Sequence, residues 1–146
     1  MRTFLSIPHE VQGNEIDARG TLSPGWVARY FEHSRWAMMH FPDYALMRIK
    51  DMKFGVVRAQ ALEIREALRF RDQVQIGMWV CRVGRTSYDF AHSIRRDDGA
   101  VVARGRAVLV YLDGNKPAPL PEAVHQAIHH EPAPVPEAVP LSLIHI

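Results

Sequence analysis

One cysteine, Cys81, is all the thiol chemistry this chain carries. A single thiol cannot close an internal disulfide and has no second sulfur with which to hold zinc or an iron–sulfur cluster. Cys81 stands in a strand-like alternation and reads as a small buried apolar residue. Long hydrophobic runs are also missing. No stretch is apolar for the length of a bilayer, and Met1 to His9 lacks the apolar centre of a signal peptide, so the expectation is a soluble, cytoplasmic protein with no membrane partner. The chain has no Gly-x-Ser-x-Gly elbow, no phosphate loop and no dinucleotide fingerprint, which argues against a serine hydrolase, a nucleoside triphosphatase and a nicotinamide enzyme. Excess charge is small, at +2, and basic residues are not interleaved with aromatics, so no nucleic-acid partner is expected. Internal repeats are absent.

What is present suits one core. The 146 residues are 47% apolar, within the range of a single domain. From Ser23 to His40 the positions Val27, Tyr30, Phe31, Ala37 and Met38 recur at helical spacing, with small Ser34 on the same face. Ser23 is a good N-cap, and Pro24 fits the first helical position. A second short helix is expected over 43–50. Beyond it the period changes to two. Val74, Ile76, Met78 and Val80 alternate with Gln73, Gln75, Gly77 and Trp79, and Tyr88, Phe90, His92 and Ile94 alternate with Ser87, Asp89, Ala91 and Ser93. Gly84-Arg85 and Asp98-Gly99 supply hairpin turns. Further strands over 4–11, 56–68 and 101–112 bring the set to five. The expectation is an α+β fold, one long helix on an antiparallel sheet.

The domain is expected to occupy 1–130, closing with a short helix over 122–130. Residues 131–146 read as a proline-rich tail, since Pro132, Pro134, Pro136 and Pro140 deny it regular structure. Its last six residues, Leu141 to Ile146, match the translation of a common sequencing-library adapter. They read as a processing scar on a gene taken from fragmented environmental DNA.

The chemistry concentrates at Asp17-Ala18-Arg19-Gly20-Thr21-Leu22-Ser23-Pro24-Gly25-Trp26. Here a lone carboxylate precedes the start of an apolar helix, where unpaired N–H groups and the positive end of the helix dipole can receive an oxyanion. On residues alone, Asp17 has a turn-forming alternative. Downstream, Tyr30, Phe31, Glu32 and Arg35 follow without a gap. With Asp17 and Gly20 they resemble the signature of the 4-hydroxybenzoyl-CoA thioesterase-like branch of the hotdog superfamily. Leu68 to Asp72, Val83 to Ser87 and Ala107 to Leu112 also resemble that family, so the likeness covers roughly the first hundred and twenty residues, one domain's worth.

The resemblance implies a five-stranded sheet wrapped around one long helix and an acyl-CoA thioesterase that needs no metal or other cofactor. It implies Asp17 as nucleophile or general base, and helix N-terminal N–H groups as the oxyanion site. Within Pro24, Gly25 and Trp26, Pro24 has no N–H to give, so either Gly25 or Trp26 takes over that duty, or the thioester binds in a shifted pose, or activity is weak. A homodimer or homotetramer is also implied, with strand 57–65 of a second copy lining the acyl pocket. Arginines crowd the middle of the chain from Arg65 to Arg106. Each reads singly as a solvated surface residue, and together they can meet the phosphates of coenzyme A.

Other polar residues read more plainly. Glu32, between Arg29 and Arg35, reads as a helix-surface ion pair. His92 lies on the apolar parity of its strand, as a satisfied core histidine would. His125 and His129 have the spacing of two metal ligands but no third, so an exposed helix end is expected. Two alternatives to hydrolysis stay open: a hotdog hydratase or dehydratase acting on an acyl thioester, and a noncatalytic acyl-CoA-binding module.

Overall fold

Alternating apolar residues build the sheet. In the computed structural model, which describes residues 2–53, 55–128 and 139, five antiparallel strands run in the order β1-β3-β4-β5-β2. They are β1 (Phe4–Glu10), β2 (Val56–Ile64), β3 (Gln73–Val83), β4 (Ser87–Arg96) and β5 (Val101–Val110). The expected α+β class and the five strands are observed, with β2 stopping at Ile64, short of Leu68. The register sets Phe90 opposite Ala107, His92 opposite Gly105 and Ile94 opposite Ala103, so one parity of each strand faces inward together.

The helix α1 (Pro24–Ala37) lies across that inner face. Its start is fixed by Pro24 at the first helical position and by Ser23, whose hydroxyl accepts from the Trp26 N–H at 3.4 Å. A cap of that kind stabilises a helix by about 1 kcal/mol. Val27, Tyr30, Phe31, Ser34 and Ala37 are buried against the sheet. The helix comes so close that a Cβ on Gly105 would stand 2.5 Å from the Phe31 ring, so only glycine fits there.

The core falls into two main clusters, with a small third formed by Ala59 and Val108. One, near the start of α1, joins Val27, Tyr30 and Phe31 to Val74, Ile76, Ile94 and Val102. The other, near its end, joins Met38 to Met78, Phe90, Tyr44 and Leu46, and is closed by Val124 of the short helix α2 (Glu122–Ile128). The helix expected over 43–50 is a single 3-10 stretch, Ala45–Arg48. The expected end of α2 at His130 and the metal-ligand spacing of His129 lie outside the described residues.

The outer face of the sheet holds a cluster that strand alternation hides. Asp89, on the parity expected to face water, is fully buried and accepts from Arg82 at 2.7 Å and from Arg106 at 2.9 Å. Arg106 also donates to the carbonyl of Val139 at 2.9 Å. Val139, the one described residue of the expected tail, is itself buried. Cys81, at the neighbouring bulge, is half-buried, and burial pushes its thiol up to about 11, which leaves it a poor nucleophile. No helix among the described residues is long and apolar enough to cross a membrane.

Candidate active site

Asp17 sits in a tight hairpin just ahead of α1. Its N–H donates to the Thr21 carbonyl at 2.8 Å, and its own carbonyl accepts from Gly20 at 3.0 Å, a turn that places Gly20 at φ +78°. The isolated bridge between Ile16 and Leu22 closes this hairpin, and a second bridge, Thr21 to Arg69, ties it to the segment after β2. The side chain is equally well held. Oδ1 accepts from the N–H of Arg19 at 2.9 Å and from the N–H and hydroxyl of Thr21 at 3.3 Å each, and Oδ2 accepts from the Arg19 guanidinium at 3.2 Å.

Partial burial pushes the Asp17 pKa up. The donated hydrogen bonds of Thr21 and Arg19, with the Arg19 charge, outweigh it and leave the carboxyl below the usual aspartate range. Asp17 is therefore a carboxylate at neutral pH. That is the form a nucleophile or a base requires.

The helix start offers one free donor. Trp26 N–H is taken by the Ser23 carbonyl at 3.0 Å and by the Ser23 hydroxyl, and Pro24 has none. Gly25 N–H meets no acceptor among the described residues, and the residue is exposed. A Cβ added there would find only Ser23 Oγ, at 4.0 Å, so the space beside the residue is open. Beside it lies a groove of about 440 Å³ lined by Arg19, Thr21, Leu22, Pro24, Ile64, Arg65, Glu66 and Ala67. Asp17 stands one hydrogen bond behind that wall, through Arg19 and Thr21.

Glu15, two residues before Asp17, is a site residue that sequence reasoning missed. Its side chain is 7% exposed and accepts from the Tyr30 hydroxyl at 2.6 Å and from the Gln12 N–H at 2.8 Å, with His9 Nε2 at 3.1 Å. Burial pushes its pKa up, and these three partners more than reverse that. On Tyr30, burial and then the Glu15 carboxylate act the same way and drive the phenol well above its ordinary value. The Tyr30–Glu15 bond fastens the Asp17 hairpin to α1. Removing the hydroxyl in Tyr30→Phe leaves a buried carboxylate short of one donor and is expected to cost about 1–3 kcal/mol, read by chemical denaturation; an unchanged unfolding midpoint would contradict it.

At the other end of α1, His92 is buried between Ser34 and Arg35. The Ser34 hydroxyl spends its hydrogen on the Phe31 carbonyl at 2.6 Å, so toward His92 Nδ1, 3.2 Å away, it acts as acceptor. That places the imidazole proton on Nδ1 and leaves Nε2 to accept from Arg35 Nη1 at 3.0 Å. Burial, and then the Arg35 charge, hold His92 well below its ordinary pKa, so it is neutral.

This has a pH consequence. Above the unfolded value near 6.5 both states carry neutral His92, whereas below it the unfolded chain takes up a proton that the native state refuses. Stability therefore falls as pH drops from about 6.5 toward the lowered native pKa, by at most about 1.4 kcal/mol per pH unit. Unfolding midpoints at pH 7 and pH 5 check this, with His92→Gln expected to flatten the slope. An equally steep slope in folded His92→Gln protein would refute the assignment.

Glu32 and Arg35 border a second, more enclosed cavity of about 380 Å³, walled by Trp36, Met38, Gly55, Val56, Val57, Gln60, Tyr88, Phe90 and Leu109. Glu32 makes no ion pair among the described residues, unlike the expected pairing with its helix neighbours. Arg29 instead lies over the Trp26 ring, 4.8 Å from its centroid. The mid-chain arginines are largely engaged: Arg82 and Arg106 with Asp89, Arg65 and Arg104 with Glu63, and Arg96 with Glu66 and Asp98.

A family model for the thioesterase-like superfamily matches residues 11–128, which takes in the Asp17 hairpin, α1 and the whole sheet beyond β1. The chain belongs to the thioesterase-like superfamily. Solved thioesterases share its fold. A Thermus thermophilus thioesterase complexed with coenzyme A and zinc is 25% identical, with a TM-score of 0.69 over 85% of this chain and 96% of that one. A 1,4-dihydroxy-2-naphthoyl-CoA thioesterase from Synechocystis is 14% identical, with a TM-score of 0.68 over 90% and 99%. No curated protein matches. This member of the superfamily is thus a thioester hydrolase of hotdog fold, its sheet curled around α1.

Proposed function

We propose that the protein hydrolyses acyl-CoA thioesters to a carboxylic acid and free coenzyme A, with Asp17 as the attacking or base-acting carboxylate and Gly25 N–H as an oxyanion donor. The observation that carries this reading is an ionised Asp17 beside a helix start where Gly25 N–H meets no acceptor among the described residues. Arg19, which covers Oδ2, is 83% exposed, and an exposed ion pair of this kind is worth little, so it can swing aside as substrate enters. Whether Asp17 attacks the carbonyl or deprotonates a water, negative charge grows on the thioester oxygen. A donor already aimed there stabilises that charge without reorganising. Pro24 restricts the site to fewer donors than a free helix start would offer.

The hydratase alternative wants a histidine paired with an acid near the helix start, and His9 with Glu15 is such a pair. Thiol release from a panel of acyl-CoA substrates, followed beside hydration of enoyl-CoA, separates the readings. Thiol release without hydration supports hydrolysis. Hydration alone supports the hydratase, and binding with neither supports a noncatalytic module.

A homodimer or homotetramer is part of the same proposal. Strand β2 is a sheet edge whose Val56, Val57, Leu62 and Ile64 are exposed, and Trp36 on α1 is 62% exposed nearby. An apolar edge of that kind invites a second copy. Light scattering at micromolar concentration is expected to give a dimer or tetramer, and a monodisperse monomer would contradict it.

A further inference from the structure

Helix α1 and strand β2 each contribute residues to both cavities. The groove at the start of α1 includes Pro24 and Ile64, and the enclosed cavity includes Glu32, Arg35 and Gln60. Ile64, Leu62 and Gln60 oppose Ala103, Gly105 and Ala107, so all three project from β2 toward the helix side of the sheet. Pro24 to Glu32 is about 12 Å at a helical rise of about 1.5 Å per residue. Ile64 to Gln60 is about 13 Å at a strand rise of about 3.3 Å. Helix and strand therefore set the two cavities the same distance apart, with partly exposed Leu62 midway.

The enclosed cavity carries an unneutralised cation. Arg35 donates to His92 Nε2, a neutral acceptor, and no carboxylate stands within 4 Å of its guanidinium among the described residues. Glu32 acts on it only at longer range. An arginine stays charged even when half-buried, and a partly desolvated cation without a counterion is held at a cost that a bound anion would offset. Around it Tyr88, Phe90, Leu109 and Val56 form apolar walls, which suit methylene groups and strengthen any ion pair they shield from water.

We propose that the preferred acyl group is a chain of roughly ten carbons ending in a carboxylate, its thioester at the start of α1 and its far carboxylate paired with Arg35. The length follows from that separation, since each C–C bond of about 1.5 Å advances an extended chain by somewhat less than that. The inference rests on the hydrolase reading for which end of the chain lies at Asp17, but the Arg35 site can be tested without turnover.

Calorimetric titration of the intact protein with monomethyl decanedioate and methyl 10-hydroxydecanoate is that test, since a methyl ester stands in for the thioester in both and only the far end differs, a carboxylate or a neutral hydroxyl. The carboxylate-ended ester is expected to bind at least about tenfold more tightly, equivalent to about 1.4 kcal/mol. Arg35→Gln, checked for fold by circular dichroism, should bind the two esters about equally, and Arg35→Lys should keep part of the preference as a point charge. Equal binding by the wild type, a preference undiminished in Arg35→Gln, or no binding of either ester, as when a second copy fills the cavity, would overturn the proposal. The two readings fail separately. Arg35-dependent binding of the carboxylate-ended ester without thiol release from any acyl-CoA would contradict hydrolysis and leave this site standing, whereas hydrolysis without that preference would do the reverse.

Discussion

Asp17→Asn should fold, melt and assemble as the wild type does and yet lose thioester hydrolysis by orders of magnitude. The amide is neither a useful nucleophile nor a base, and it can still accept at its oxygen the N–H groups of Arg19 and Thr21 that hold Asp17 Oδ1. Only the bond from the Arg19 guanidinium to Oδ2 is lost, and that pair is mostly in water. Stability should accordingly change little. Comparison of kcat with the unfolding midpoint of the same preparation checks both halves of the expectation. Turnover at the wild-type rate in folded protein would remove Asp17 from the chemistry, and unfolding would show that the hairpin depends on its charge.

Gly25→Pro should lower kcat by about a hundredfold or more, the usual consequence of deleting one oxyanion donor. The test is sharp here because neighbouring donors are already spent: Trp26 on its own cap, and Pro24 by its ring. Gly25→Ala supplies the control, since a Cβ there meets nothing closer than 4.0 Å and the N–H remains. It should retain most of the activity. Pro24→Ala adds a donor next to the first and should raise kcat. Circular dichroism must match across all three, because proline in the first turn also helps to start the helix. If the proline and alanine variants at Gly25 turn over alike, the oxyanion is held elsewhere.

The parts of this molecule that were legible in the sequence are those decided by neighbours along the chain. Ser23 caps α1 because its hydroxyl reaches the N–H three residues on, and Pro24 fits a position where no N–H is needed. The alternation in β3 and β4 gave their inward faces, since side chains on a strand alternate whatever the tertiary context. Residues 43–50 read as helical, and only Ala45–Arg48 are, as a 3-10 stretch, a distinction that depends on packing of a single turn.

What stayed hidden depends on contacts between distant segments. Glu15 reads as one more surface acid until Tyr30, fifteen residues later, is brought over it. Arg35 and His92 are separated by 57 residues, so a helix-surface pairing with Glu32 was the local expectation, and the fold turned the guanidinium toward the sheet instead. Asp89 shows the limit of alternation most clearly. Its parity pointed outward, yet Arg82, Arg106 and the carbonyl of Val139 cover that side. For the candidate site, the helix start was legible because the Ser23 cap and Pro24 are local signals, whereas the choice of Asp17 as its carboxylate came from the family resemblance. The groove leading away from them needed β2 to be set beside α1.

The most direct test of the account is a single-turnover experiment with the wild-type protein. Protein in excess is mixed in turn with a substoichiometric amount of each acyl-CoA of the panel, quenched with acid, and analysed by chromatography for free coenzyme A, free acid and remaining thioester. A thioester hydrolase working through Asp17 predicts one equivalent each of coenzyme A and acid from the wild type, and intact acyl-CoA from Asp17→Asn over the same interval. Recovery of the thioester intact from the wild type, its conversion to a hydroxyacyl thioester, or equal release by Asp17→Asn would contradict it.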